Sequence, residues 1–216
     1  MRKLFLLTLG LMSVASFADI GHGMTPNEVL MELKAGNSRY INKQGISHDY
    51  RSDAKLAAEK GQKPIAYVLS CMDSRAIPEK AFDQTAGKLY VSRVAGNVIS
   101  KNMLASMEYA VLTGAKVLVI MGHTHCGAVV STCKGSAFGN IDHLLDIIRP
   151  AVTAQGSAPN CESHDVVDKI AMQNVKNMLA KTLKKSSYVA DKVKSQEVIL
   201  IGAMHDIDTG KITFLN

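Results

Sequence analysis

The apolar positions of this chain fall into two periods, and the alternation between them lays out the fold. TPNEVLMELKAGNSRYI (25–41) opens with a Thr25 cap and Pro26 at the first helical position, then places Val29, Leu30 and Leu33 on one face. This pattern predicts a helix ended near Gly36. DYRSDAKLAAEKG predicts a second helix that stops at Gly61. The run PIAYVLSC (64–71) is instead continuously apolar and rich in β-formers, as expected of a strand buried on both faces of a parallel sheet. KLYVSRV (88–94) reads as a similar strand. KNMLASMEYAVLTG returns to helical spacing as far as Gly114, and AKVLVIMGH follows as a third buried strand. Helices are expected at about 126–133, 139–155 and 163–183. EVILIGAMH (197–205) is a fourth strand, joined through DIDTG to KITFL (211–215), an edge strand folded back antiparallel in a hairpin. Strands separated by helices imply an α/β fold with a mainly parallel central sheet flanked by helices and an antiparallel edge strand at the C-terminus. Functional groups on such sheets collect at the carboxyl ends of the strands.

Composition bounds this picture without changing it. With 216 residues, 47% hydrophobic and 20% charged, the chain suits one globular domain and is too apolar for disorder. No repeat divides it, and the only stretch rich in Pro, Gly and Ser is AQGSAPNCES (154–163). Residues 1–18, MRKLFLLTLGLMSVASFA, stand apart: Arg2 and Lys3, an apolar core from Leu4 to Met12, then Ser16 and Ala18 at the usual cleavage positions. That order is a secretory signal peptide, too short in its apolar part for a permanent membrane span. The expectation is an exported, periplasmic protein beginning near Asp19. Residues 19–216 then form a single domain with an N-terminal helical arm over about 25–60, and no membrane span in the mature protein. The formal charge is +6, of which Arg2 and Lys3 carry two, leaving a mild +4. The lysines of KTLKKSS and DKVKSQE are interleaved with helix formers, lie near acids and lack an aromatic stacking pattern. They read as a solvated helix face, and nucleic acid is excluded as a partner.

The candidate chemistry sits where the strands end. Cys71 ends the first strand; His123 ends the third, in MGHTHCGAV, and Cys126 opens a helix three residues later. Three residues of helix bring two side chains onto one face, so His123 and Cys126 are expected to share a metal ion. Cys71 arrives at the same end if the first and third strands are neighbours. Two thiolates and an imidazole favour zinc, and three protein ligands leave the open position typical of a catalytic site. His125 is the alternative to His123, although one residue before Cys126 its side chain leaves in a different direction. Asp73 and Arg75 follow Cys71 in the loop leaving the strand. An aspartate this near a metal either ligates it or accepts a hydrogen bond from water on it, while the guanidinium holds the carboxylate charged and aimed. Taken singly, each feature has a plainer reading: Cys71 as a small buried hydrophobe, Asp73 and Arg75 as a surface ion pair. Their conjunction at one end of the sheet favours a site.

These residues resemble a known family. C-M-D-S-R (71–75), R-V-A-G-N (93–97) and G-H-T-H-C-G (122–127) are similar to the C-x-D-x-R and H-x-x-C signatures of the β-class carbonic anhydrases and their surroundings. TPNEVLMELKAGNSRY and GAMHDIDTGKITFL look like that family's N-terminal helix and closing strands, so the resemblance covers nearly the whole mature chain. It implies zinc on Cys71, His123 and Cys126, and a catalytic dyad of Asp73 and Arg75, with Asp73 as a fourth ligand in a closed state. It also implies a substrate pocket with Gln62 reaching in across a dimer interface, Tyr90 and Tyr109 as its aromatic residues, and Gly127 facing the ligand with its backbone N–H. A homodimer or homotetramer is expected. The implied reaction is reversible hydration of carbon dioxide to bicarbonate and a proton, by hydroxide on zinc oriented by the dyad. Hydrolysis of COS or CS2 on the same scaffold is the alternative substrate reading; a noncatalytic zinc-binding or disulfide-bonded exported protein is the alternative of another class. Some members carry a noncatalytic bicarbonate site of tryptophan, arginine and tyrosine; the matching positions here look like Val68, Arg93 and His205, of which only the arginine remains. His125 and His205 are candidates for proton transfer by residue type alone. With Cys71 and Cys126 held by zinc, Cys133 and Cys161 are left to form a disulfide.

Overall fold

The structure, a computed structural model, describes residues 23–136 and 138–215. The expected signal peptide, residues 1–18, lies outside the described residues. Helix α1 (Pro26–Ile41) starts from a reciprocal cap: the Thr25 hydroxyl accepts the Glu28 amide, and the Glu28 carboxylate accepts the Thr25 amide. The helix runs on past Gly36, contrary to the sequence expectation. A Cβ at Gly36 would stand 1.9 Å from the Phe82 carbonyl oxygen. This glycine therefore permits close packing of helix against loop, and its helix-breaking tendency is overridden. One residue on, buried Asn37 satisfies its amide across three segments, donating to the carbonyls of Ala81 and Gly210 and accepting from the Ile212 amide, each at 2.9 Å. Helix α2 (Tyr50–Lys60), capped by Asp49, buries none of its residues.

The rest alternates as the apolar periods require: β1 (Ala66–Ser70), α3 (Pro78–Ala81), β2 (Leu89–Arg93), a 3-10 turn (Ala95–Asn97), α4 (Lys101–Leu112), β3 (Val117–His123), α5 (Gly127–Lys134), α6 (Ile141–Thr153), α7 (His164–Lys185), α8 (Ser187–Lys194), β4 (Ile199–His205) and β5 (Ile212–Phe214). Three details depart from the sequence pattern. The one-turn α3 and the 3-10 turn are too short for a periodic signal. The C-terminal helical segment is divided at Ser186, whose hydroxyl accepts the Val189 amide and restarts the chain as α8.

The sheet order is β2-β1-β3-β4-β5, parallel except for the antiparallel β4–β5 edge pair. Alternate residues of the central strands feed two separate cores. Leu69, Leu118 and Ile120 pack with Met107, Ile148 and Ile170 from the helices on one face. Val68, Val119 and Met121 pack with Val29 and Leu33 of α1 on the other. Every residue of β1 and β3 is buried, which is why these strands lack polar alternation. From β1 the chain moves outward to β2, then crosses back to β3 on the other side of β1. The cleft between the carboxyl ends of β1 and β3 is thus the topological switch point, where such sheets hold ligands.

Candidate metal centre

Strand pairing brings the three candidate ligands together at that switch point. Cys71 is the first residue beyond β1, His123 the last of β3, and the register Leu69↔Ile120 sets the two strand ends side by side. Cys126 is the N-cap of α5. The ligand atoms of Cys71, His123 and Cys126 all lie within 4.8 Å of one another, and the residues are 4%, 1% and 1% exposed. Helical spacing does not join His123 to Cys126, as the sequence argument supposed. The chain turns tightly between them, with His125 at φ 56°, in the left-handed region. Histidine adopts that region more readily than most residues. External bonds hold the turn: the His125 amide donates to Asp168 of α7 at 3.0 Å, and the Ile207 amide donates to the Thr124 hydroxyl at 3.0 Å.

The donor set fits zinc. His123 Nδ1 is 2.8 Å from the Thr124 carbonyl oxygen, so it carries the proton, and Nε2 keeps a lone pair. That Nε2 is buried without a hydrogen-bond partner among the described residues. An orphaned imidazole nitrogen facing two cysteine sulfurs is costly in an apolar core unless a cation joins them. The sulfurs themselves lie within the apolar cluster that contains Val98, Ile120 and Val129. The Cys126 thiol beside Cys71 lowers the Cys71 pKa to about 4, and the same contact, with burial, raises that of Cys126. The contact between the two sulfurs thus favours loss of the first proton, at Cys71. Bond lengths of about 2.0–2.3 Å separate tetrahedral donors by roughly 3.5–4 Å, so a small contraction closes this triad on one ion. Cys71 and Cys126 are free thiols.

Cys71 is supported from behind. Its Sγ accepts the Gly96 amide at 3.4 Å, and the Gly96 carbonyl accepts the amide of buried Asn174 at 2.8 Å. Gly96 has φ 65°, and a Cβ would meet Ile148 Cδ1 at 2.5 Å. Both the backbone angle and the space exclude a side chain there.

Asp73 stands beside the ligands in a fork from Arg75. Nε donates to Oδ1 at 3.0 Å, Nη2 donates to Oδ2 at 2.8 Å, and the Arg75 amide adds a bond to Oδ1 at 3.0 Å. The side chains are 17% and 50% exposed, so the carboxylate is sheltered and the guanidinium faces water. Arg75's hydrogen bonds hold the Asp73 carboxyl well below the usual carboxylate range. Asp73 Oδ2 is 4.0 Å from His123 Nε2. The carboxylate is therefore next to the ligand set while engaged by Arg75.

The other sequence candidates are placed as follows. His125 Nε2 is 3.0 Å from Asp208 Oδ2, and its ring meets His164 edge-on with centroids 4.4 Å apart, outside the triad. His205 pairs with His123 in the β3–β4 register and is 3% exposed, and burial lowers its pKa. Gly127 opens α5 with nothing within 4 Å of where a Cβ would be. Tyr90 and Tyr109 face each other with ring centroids 6.3 Å apart. Tyr90 is level with Tyr67, four residues before Cys71, so the pair lies about 13 Å down the strands from the ligands. Gln62 is exposed ahead of β1, at the opposite end of the sheet from the triad. Within one chain these three residues are not brought to the metal centre. Cys133 and Cys161 form a disulfide with Cα atoms 5.7 Å apart. The supports from Thr124, Asp168 and Asn174 escaped the sequence reading, because a polar residue on a helix or turn carries no local signal of what it will touch. The Gly96–Asn97 pair did carry one, being a turn dipeptide after a strand.

Comparison with known proteins agrees with this geometry. Residues 66–212 match the family model for carbonic anhydrase. The chain is similar to carbonic anhydrase 2 of Mycobacterium tuberculosis, 28% identical over 182 residues that cover 83% of this chain and 87% of the relative. In fold it is similar to a β-carbonic anhydrase of the fungal pathogen Aspergillus fumigatus, with TM-score 0.68, 22% identity and coverage of 88% and 90% of the two chains. It is also similar to one of two tetrameric β-carbonic anhydrases of Sordaria macrospora, with TM-score 0.68, 23% identity and coverage of 88% and 98%.

Proposed function

We propose, for a chain that belongs to the β class of the carbonic anhydrase family and whose reaction is zinc-dependent hydration of carbon dioxide, the following division of labour among its residues. Cys71, His123 and Cys126 hold the zinc ion. When bound, the ion supplies Lewis-acid activation of a water molecule near neutral pH. Asp73, beside the ligand set, would accept a hydrogen bond from the reacting water and so orient it toward carbon dioxide. Arg75 keeps the carboxylate charged and engages both its oxygens, which would hold it back from joining the ligand set. Gly127, with open space above it, presents its backbone N–H to the product. The observation that carries this reading is the buried, partnerless His123 Nε2 facing two free thiols, with a guanidinium-held carboxylate 4.0 Å away.

The reading extends to the assembly. The active unit is a homodimer or homotetramer in which a partner copy brings Gln62 to the pocket, with Tyr90 and Tyr109 beside it. Supporting this, Tyr109 and Leu112 of α4 are 58% and 73% exposed, an apolar face that a second copy would cover. The Sordaria macrospora relative is tetrameric by its description. Residues 1–18 direct export to the periplasm, on the order of charge, apolar core and small residues alone. Among the described residues, no helix is long and apolar enough to cross a membrane.

The test is zinc content and carbon dioxide hydration of the purified protein, before and after removal of the metal by a chelator and its return. One zinc per chain with activity that leaves and returns with the metal is expected. A chain without zinc, or one fully active after the metal is removed, overturns the proposal.

A further inference from the structure

Arg93 ends β2, and the family resemblance matches it to the arginine of an anion site that some members carry and whose other two positions are not kept here. Its donors are engaged elsewhere. Nε donates to the Cys71 carbonyl at 3.2 Å, and Nη2 donates to the Met72 carbonyl at 3.3 Å and to that of Asp73. Three successive carbonyls, spanning a zinc ligand and the dyad carboxylate, converge on one guanidinium. The fold explains how. Ser70↔Arg93 is the last rung of the β1–β2 ladder, so pairing delivers Arg93 to the point where β1 leaves the sheet. Beyond that rung the side chain continues what the backbone ladder began. The remaining positions of the resembled anion site do not assemble around it. Val68 is fully buried in the core on one face of the sheet, and His205 lies on β4, separated from β2 by β1 and β3.

We infer that Arg93 is a positioning residue for the metal centre, fixing the 71–73 backbone and through it the aim of both the Cys71 sulfur and the Asp73 carboxylate. It acts through the chain and touches neither substrate nor ion. The inference rests on the ligand and dyad roles proposed above. Arginine suits the task for a geometric reason: its planar fork offers several fixed N–H directions, whereas a lysine ammonium is a single compact charge. Cys71 and Asp73 are two residues apart on this segment, so one backbone rotation displaces both. The Gly96 amide restrains the Cys71 sulfur, and the Arg75 fork restrains Asp73; Arg93 holds the backbone linking them at all three carbonyls, of which that of Asp73 also accepts the Ala76 amide at 3.0 Å.

The test uses the full zinc-loaded protein with Arg93→Ala and Arg93→Lys. Zinc retention is measured against a competing chelator, together with kcat and KM for carbon dioxide and inhibition by bicarbonate. Loss of a partner that orients metal ligands costs about 10–100-fold in affinity or activity. Arg93→Ala is expected to weaken zinc retention and lower kcat within that range, with bicarbonate inhibition unchanged and KM little altered. Arg93→Lys is expected to recover only part of the loss. Should Arg93→Ala fail to fold, Arg93→Lys decides, read by kcat and by the visible spectrum of its cobalt-substituted form, whose bands report ligand geometry. A wild-type spectrum with wild-type kcat overturns the inference, as does an Arg93→Ala protein that retains zinc and kcat within twofold. Relief of bicarbonate inhibition as the main effect also overturns it, by returning Arg93 to an anion site. Absence of zinc or of hydration in the wild type would instead strike at the proposed function.

Discussion

Replacing Arg75 by methionine removes the guanidinium from Asp73 while keeping a side chain of similar length. Of three bonds to the carboxylate, at 3.0, 2.8 and 3.0 Å, only that from the Arg75 amide survives. A hydrogen bond to a charged group contributes about 1.5–3 kcal/mol when sheltered. The Arg75 side chain is 50% exposed, and solvent screening reduces the value. A figure of about 1–3 kcal/mol for the lost fork is therefore appropriate, and at about 1.4 kcal/mol per factor of ten kcat/KM should fall roughly 5- to 150-fold. Freed of its partner, Asp73 Oδ2 starts only 4.0 Å from His123 Nε2, near enough to compete for the ion. If Arg75 acts only through Asp73, the double variant Asp73→Ala, Arg75→Met is no slower than Asp73→Ala alone. Stopped-flow hydration with a pH indicator, at matched zinc content, measures all four proteins of the cycle. Additive losses in the double variant, or an Arg75→Met enzyme within twofold of wild type, would refute the reasoning.

Two further outcomes follow from the same geometry. Arg75's bonds depress the folded pKa of Asp73, so the pair's contribution to stability is complete above the unfolded value of about 3.9 and is lost only as pH falls through the folded value. Urea unfolding should show a difference between wild type and Asp73→Asn that is constant from about pH 8 to 5; a difference that shrinks across that window contradicts the assignment. The Cys133–Cys161 disulfide spans 28 residues, so replacing both by serine should lower the unfolding free energy by about 3 kcal/mol, with zinc content unchanged. A loss of zinc in that variant would mean that the disulfide holds the metal centre and not only the fold.

The parts of the fold legible in sequence were those with a period or a forced chemistry. PIAYVLSC and AKVLVIMGH read as two-faced strands because Val68 and Leu69, or Val119 and Ile120, enter different cores and neither face can be polar. Cys71, His123 and Cys126 were legible because thiols and an imidazole at strand ends have few other uses. What failed involved contacts distant in sequence. Gly36 looks like a stop until Phe82 is known to lie against it. The spacing of His123 and Cys126 suggested a helix face, whereas a left-handed His125 makes the approach. Arg93 is what remains of a motif position whose companions are missing, and its three carbonyl partners are visible only once β1 and β2 are paired. Gln62, Tyr90 and Tyr109 lie away from the ligands within one chain, and the meeting point expected of them is one that only the proposed assembly would supply.

Helix α5 keeps two kinds of sulfur chemistry from mixing. Cys126 stands at its start and Cys133 in its last turn, seven residues later. Two turns of helix separate them along the axis by about 10.5 Å. A disulfide requires Cα atoms within about 7 Å, so Cys126 cannot pair with Cys133 while the helix is wound. Any bond other than Cys133–Cys161 takes a ligand sulfur out of service, and eight residues of helix close off one such pairing, that between the first and last cysteines of α5.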